Sequence, residues 1–326
     1  MTAPLRLGQV GAGPWGRNVA RNFADLAELV WLCDKNGAYH EHVATRHPES
    51  RWTTRFEDLL EDAGIDAVVV ATDVPTHYPL AKQALEAGKH VFVEKPPAMR
   101  GAEMDELVAM AETRDLVLMP GHLLLYHPGV QKLKELMDSG ALGDVLYLYG
   151  QRVNFGRIRT VENALWSLGV HDLSVILYLL DEEPDEAIAL GRDYLQRGVE
   201  DVVFCYLRFP SGRTAHMHLS WLDPHKLRKM TVVGTEKQVV FDDMEPEHKV
   251  VVYENAPEAP ADGDGEWGAL AGEVWSPSVP LDEPLRLECQ FFLRLVAGDG
   301  NRLQVARDGA RVVRALERLT ESLRGA

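Results

Sequence analysis

"LRLGQVGAGPWGRNVARNF", residues 5–23, decides how the rest of the chain is read. A short apolar run ends at Gly11, and the apolar spacing of a helix begins after Gly16. The triplet Gly11-x-Gly13-x-x-Gly16 therefore stands between a strand and a helix, the context that gives such a triplet meaning. Gly11 permits a tight turn, Gly13 lets backbone approach a pyrophosphate, and Gly16 allows helix and strand to pack closely. Unpaired N–H groups at the helix start face the phosphates, and Pro14 and Trp15 belong to the same cofactor-binding loop. The next strand, "LVWLC", ends at Asp34, where a carboxylate accepts hydrogen bonds from the adenosine ribose hydroxyls. The same carboxylate repels a 2′-phosphate, so NAD is expected, with NADP left open by the neighbouring cation Lys35.

Working outward, the first 120 residues alternate apolar runs ("IDAVVVAT", "KHVFVE", "LVLMP") with helical patterns near 15–26, 37–46, 56–63, 77–88 and 100–113. Strand and helix in repetition predict a parallel sheet with helices on both faces. From about 144 the texture changes to successive strand-like runs, among them "DVLYLYGQRV", "EDVVFCYLRF" and "RTAHMHLSWL". These predict a large, mostly antiparallel sheet with one long helix, roughly 164–180, inserted early. Residues 255–282 read as a long loop, and two helices follow near 284–298 and 303–323. The expected organisation is a Rossmann domain over 1–120 and an α+β domain for substrate binding and oligomerisation over 121–326.

Composition narrows the function classes. The 326 residues are 46% hydrophobic with a net charge of −16, which argues against general nucleic-acid binding. Three cysteines without CxxC spacing predict neither a zinc site nor a disulfide framework, and fit a reducing cytoplasm. No signal peptide and no membrane span are expected. His216 and His218 alternate with Ala215, Met217 and Leu219, which reads as the polar face of a strand. No cluster has convincing metal-ligand spacing.

"ATDVPTHYPLAKQALEAGKHVFVEKP", residues 71–96, carries the chemistry. One strand ends at Thr72, and Thr72, Pro75 and His77 form the loop into the next helix. The following strand ends at Glu94-Lys95-Pro96, in the same crevice at the carboxyl edge of the sheet. Here the sequence resembles the Gfo/Idh/MocA oxidoreductases, the family of glucose–fructose oxidoreductase and inositol dehydrogenase. The resemblance extends to the C-terminal "EPLRLECQFFLRLVAG" and "DGARVVRALERLTES". It implies that Lys95 lies between nicotinamide and substrate, that Thr72, Pro75, His77, Glu94 and Lys95 contact the cofactor, and that the Lys–Pro bond is often cis. As a cation, Lys95 is placed to stabilise developing alkoxide.

The family's second catalytic element is Asp-x-x-x-His on the first long helix of the substrate domain. In "ENALWSLGVHDLSVILYLL" His171 matches the histidine, but Ser167 stands at the aspartate position. Asp172 is no obvious substitute, because helical neighbours point about 100° apart. His171 as general base suits a group that titrates near 6.5. "VNFGRIRTVENALWS" looks like the family members that oxidise N-acetylated hexosamines and their uronic acids at C3. Arg157 and Arg159, with Arg152, would supply positive charge for a nucleotide sugar. In "GHLLLYHP", at the expected domain junction, Leu125 stands where many relatives carry arginine, so one substrate contact is expected to be missing. Tyr126 and His127 remain candidates to face the pocket.

The expected activity is hydride transfer between NAD and a secondary hydroxyl of a sugar, above all a nucleotide-linked one, in a homodimer or homotetramer. The substrate set is Lys95, Tyr126, Arg157, Arg159, Ser167 and His171, with Lys95 and His171 catalytic. Rival readings are a cyclitol or free-sugar dehydrogenase, a ketosugar reductase, NAD-dependent glycosidase chemistry, and a non-catalytic NAD-binding regulator.

Overall fold

The computed structural model of the chain describes residues 4–258 and 266–325. A six-stranded sheet holds β1 (Arg6–Val10), β2 (Glu28–Cys33), β3 (Arg51–Thr53), β4 (Ala67–Val70), β5 (His90–Glu94) and β6 (Leu118–Gly121) in the order β3-β2-β1-β4-β5-β6. All its pairings are parallel. This is the doubly wound order, whose direction reverses between β1 and β4 and opens a ligand crevice at their carboxyl ends. Helices α1 (Gly16–Leu26), α2 (His40–Arg46), α3 (Glu57–Glu61), α4 (His77–Glu86) and α5 (Gly101–Thr113) make the connections. Every residue of β4 is fully buried, as a strand covered on both faces must be. Strand β3 was not among the expected runs, since "RWT" is too short to show a period.

The second sheet contains β7 (Val145–Phe155), β8 (Glu186–Arg192), β9 (Val202–Arg208), β10 (Thr214–Ser220), β11 (Leu222–Gly234), β12 (Gln238–Asp242) and β13 (Val250–Tyr253). With the edge piece Val274–Trp275 it makes eight strands, antiparallel except where β10 runs parallel to β7. Helices α6 (Pro128–Asp138) and α7 (Val170–Leu180) belong to the same unit. One sheet face is core, with Val203, Cys205, Leu207, Ala215 and Met217 buried. The alternate residues form the other face, exposed at Ile188, Tyr206 and His216 and buried at Thr231. One rung crosses seven strands as Ile188, Tyr206, His216, Tyr149, Thr231, Val240 and Val251.

The C-terminal helices α8 (Pro284–Val296) and α9 (Arg302–Gly325) divide between the units. Expected by chain order in the second domain, Glu283–Arg314 packs with the first. The reason is aromatic: Phe292 of α8 meets Phe23 and Phe92 edge-to-face, with centroids 5.9 and 5.8 Å away. The expected loop 255–282 carries a short ladder between Ala256–Glu258 and Gly268–Leu270, and residues 259–265 lie outside the described residues.

Candidate active site

The glycine triplet has distinct physical reasons at each position. Gly11 has φ +101°, and a Cβ there would lie 2.2 Å from the Ala71 carbonyl oxygen. A Cβ on Gly16 would lie 2.2 Å from the Gly11 carbonyl oxygen. At Gly13 the nearest atom to a Cβ is the Tyr39 hydroxyl at 4.0 Å, so this turn leaves the backbone open to an approaching group. Buried Gln9, which pattern reading passed over, donates through Nε2 to the carbonyls of Gly11 (2.8 Å) and Gly16 (2.7 Å). It fixes the turn that the glycines permit. Asp34 accepts from the N–H of Ala12 and of Asn36, both at 2.8 Å, which ties the end of β2 to the glycine loop. Lys35 is exposed, and the Arg17 guanidinium lies over the Tyr39 ring at 5.1 Å. The open side of Gly13, the helix start and the held carboxylate fit a dinucleotide.

At the ends of β4 and β5 the sequence-predicted residues come together within the first unit. His77 is buried, with Nδ1 2.8 Å from the Pro96 carbonyl and Nε2 2.9 Å from the Thr72 carbonyl. It therefore ties the two strand-end loops to each other. Pro75 lies in the short 3₁₀ turn Val74–Thr76, and the Thr72 and Thr76 hydroxyls bond at 2.7 Å. The Lys95–Pro96 bond is cis. Glu94, also buried, accepts from the Trp15 indole N–H at 2.6 Å and from the Lys95 backbone N–H at 3.3 Å. Burial raises the Glu94 carboxyl from its usual range, against the pull of Trp15 and Lys95. His122, just after β6, was not singled out beforehand. Burial first, then the Lys95 charge, pushes its pKa down to about 4, so it is a neutral core imidazole at pH 7. Tyr126 packs its ring on Phe291 at 5.2 Å.

In the second unit the segment before α7 is a π-helical turn, Leu165–Gly169, with the Val170 N–H reaching back to the Leu165 carbonyl. Such turns recur at functional sites, and this one carries Ser167 and leads directly to His171. Ser167 is buried and His171 half-buried. The Ser174 hydroxyl bonds the His171 carbonyl at 2.8 Å. Asp172 faces the sheet. Its Oδ1 accepts from Arg152 Nε at 2.9 Å and Nη2 at 2.8 Å, both side chains being buried.

Three expectations change here. Arg152 is not part of an exposed basic cluster, because its guanidinium is committed to Asp172. Arg159 lies 3.6 Å from the buried Glu162, which offsets its charge and leaves Arg157 as the exposed arginine of that loop. His127 is a helix cap: Nδ1 accepts from the Gly129 N–H at 2.9 Å, and Nε2 lies 3.5 Å from Asp243. His216 and His218 stack on Tyr149 and Phe204, at 5.0 and 4.5 Å between centroids.

Comparison with known proteins agrees with this geometry. Residues 5–122 match the model of an oxidoreductase family with an NAD-binding Rossmann fold, and residues 130–240 match the GFO/IDH/MocA C-terminal domain. UDP-N-acetylglucosamine 3-dehydrogenase of Acidithiobacillus ferrooxidans is 28% identical over 239 residues, 73% of this chain and 74% of that protein. A solved structure of it superposes with a TM-score of 0.85 at 24% identity, covering 100% of this chain and 99% of that one. The NAD-dependent scyllo-inositol 2-dehydrogenase of Bacillus subtilis is 26% identical over 267 residues, 77% of this chain and 78% of that protein. GenD2 of gentamicin A biosynthesis, solved in complex with NAD, has a TM-score of 0.81 at 27% identity, over 99% of this chain and 95% of that one. With both halves matched, the chain is an NAD-binding oxidoreductase of the Gfo/Idh/MocA family.

Proposed function

We propose that the enzyme oxidises a secondary hydroxyl of a nucleotide-linked sugar, the C3 hydroxyl of a UDP-N-acetylhexosamine or its uronic acid. The observation that carries the chemistry is the turn at Lys95, held on one side by His77 through the Pro96 carbonyl and on the other by Trp15 through Glu94. A lysine presented by so fixed a backbone is preorganised to hydrogen-bond the substrate oxygen and to stabilise negative charge as it develops. His171 accepts the hydroxyl proton at its imidazole. Bound NAD supplies the hydride acceptor, at its nicotinamide ring. Arg157, exposed, binds phosphate or carboxylate oxygens of the substrate, with Arg159 secondary because Glu162 offsets its charge.

The substrate class draws support from the 3-dehydrogenase relative. A second reading, a cyclitol dehydrogenase or ketosugar reductase, draws support from the inositol dehydrogenase and from 1,5-anhydro-D-fructose reductase of Ensifer adhaerens, 27% identical over 251 residues. A screen of NADH fluorescence with UDP- and dTDP-sugars against free sugars and inositols decides between them. Turnover of inositols alone overturns the nucleotide-sugar reading. NAD binding without any turnover favours a regulator. The exposed sheet face, with Leu190, Phe204 and Tyr206 on it, further supports a homodimer or homotetramer.

A further inference from the structure

Glu288 lies on α8 with no exposed surface, and neither of its carboxylate oxygens has a hydrogen-bond partner among the described residues. Its electrostatic neighbour is Glu94. The Phe92 and Phe292 rings meet at 5.8 Å. Glu94 follows Phe92 by two residues on one face of β5, and Glu288 precedes Phe292 by about one turn on one face of α8. Both carboxylates thus belong to the core beside the same ring contact, and they are not equally provided for. A charge on Glu94 meets the Trp15 indole N–H, the Lys95 backbone N–H and the Lys95 ammonium. A charge on Glu288 meets no donor. An ionised carboxylate buried without a donor is far costlier than the neutral acid.

We propose that Glu94 and Glu288 hold a single proton between them, resident on Glu288, so that Glu94 stays the one negative charge behind Lys95. Glu288 is then a positioning residue that acts through Glu94 on the turn bearing Lys95, and this rests on the role given to Lys95 above. The electrostatics agree: burial first, and Glu94 second, hold the Glu288 carboxyl well above the usual range. The other groups facing the pair are Lys95 at the end of β5 and Cys289 on α8, and Glu283, just before α8, acts on Cys289. Glu283 is bound by Arg21 of α1, and His122 after β6 feels the charge of Lys95. When pH rises far enough to ionise Glu288, two like charges oppose each other in the core. The Trp15–Glu94 bond and the Lys95 turn are then displaced, and kcat falls.

Infrared spectra of protein labelled with ¹³C-glutamate test the proton directly. At pH 7 the wild type should show the carbonyl band of a protonated carboxylic acid, absent in Glu288→Gln. Glu288→Gln keeps the shape but cannot ionise, so kcat at pH 7 should stay within about threefold of wild type, because the neutral isostere replaces a neutral acid. Its alkaline decline in kcat should be lost, and Glu288→Leu should lose the same limb. Absence of the band in wild type, or an unchanged alkaline limb in Glu288→Gln, overturns the proposal. If the variants do not fold, the wild-type band and its disappearance at high pH decide alone. A band that persists while Lys95→Met stays active refutes the role of Lys95 instead.

Discussion

The Trp15 indole donates to the Glu94 carboxylate at 2.6 Å, so the cofactor-binding turn and the strand end bearing Lys95 are bonded directly within one unit. Trp15 is the N-cap of α1, whose start is the proposed pyrophosphate site, and Glu94 precedes Lys95. The bond should therefore couple cofactor binding to the turn that bears Lys95. Trp15→Phe keeps the ring and removes the donor to an ionised group, a bond typically contributing about 1.5–3 kcal/mol. NAD affinity should fall by about tenfold or more in a calorimetric titration, and kcat should fall with it. An unchanged affinity would mean that the bond serves packing alone.

Lys95 and His171 should separate chemistry from binding. Lys95→Met should cut kcat by about 10²–10³-fold, the usual effect of losing an oxyanion donor. His171→Asn should cut it by about 10²–10⁴-fold, the range of general-base assistance. NAD affinity should stay near wild type in both, and the double variant should lose less than the product, the outcome expected of two groups proposed to act on one hydroxyl. Steady-state kinetics beside fluorescence titration reads all of this. Near-normal turnover in His171→Asn would return the base to Lys95 or to another group.

Asp34 has two duties that one substitution separates. It is the residue proposed to bind the ribose, and it also holds the Ala12 N–H at 2.8 Å. Asp34→Asn retains an acceptor for the loop while removing the charge that repels a 2′-phosphate. The preference for NAD over NADP should narrow in Asp34→Asn without the broader loss of affinity expected in Asp34→Ala. Tighter binding of NADP by the wild type would show that Lys35 or Arg17 dominates.

His122 should make stability depend on pH in a definite direction. Its pKa is about 4 in the fold, against an ordinary 6.5. A base with a depressed folded pKa contributes stability that is present above the unfolded value and is lost as pH falls through the folded one. The loss should therefore develop between about pH 6.5 and 4 and reach roughly 3 kcal/mol. His122→Phe should flatten that part of the Tm–pH curve. Equal slopes in variant and wild type would remove His122 as the cause.

The exposed rung Ile188–Tyr206–His216 predicts association through that face. Light scattering at micromolar concentration should give a dimer or tetramer, and Phe204→Glu with Tyr206→Glu should shift it to about 36 kDa. A wild-type monomer would refute the interface.

Much of the fold was legible because it repeats a local pattern. The glycine triplet, the carboxylate after β2 and the apolar runs of β1, β4 and β5 each follow from neighbouring residues, and so does the change from period 3.6 to period 2 near residue 144. Strand β3, with three residues between Ser50 and Thr54, has no period to read. Among the site residues, Glu94 and Lys95 could be placed at a strand end, and His77 at the entry to the helix after β4, by their spacing alone.

What the sequence by itself determined was which residue types stand at the carboxyl edge of a parallel sheet, since strand ends and helix starts are properties of short segments. Only the tertiary structure decided what each of them touches. It sends α8 back to the first unit, because Phe292 completes a ring cluster with residues some 200 or more positions away. It removes Arg152 from any basic patch, because Gly150 leaves room for Asp172 against β7, where Arg152 meets it. It also joins Trp15 to Glu94 and leaves Glu288 without a donor in the core. Hydrogen bonds and burial between residues remote in the chain arise from packing, and no local pattern encodes them.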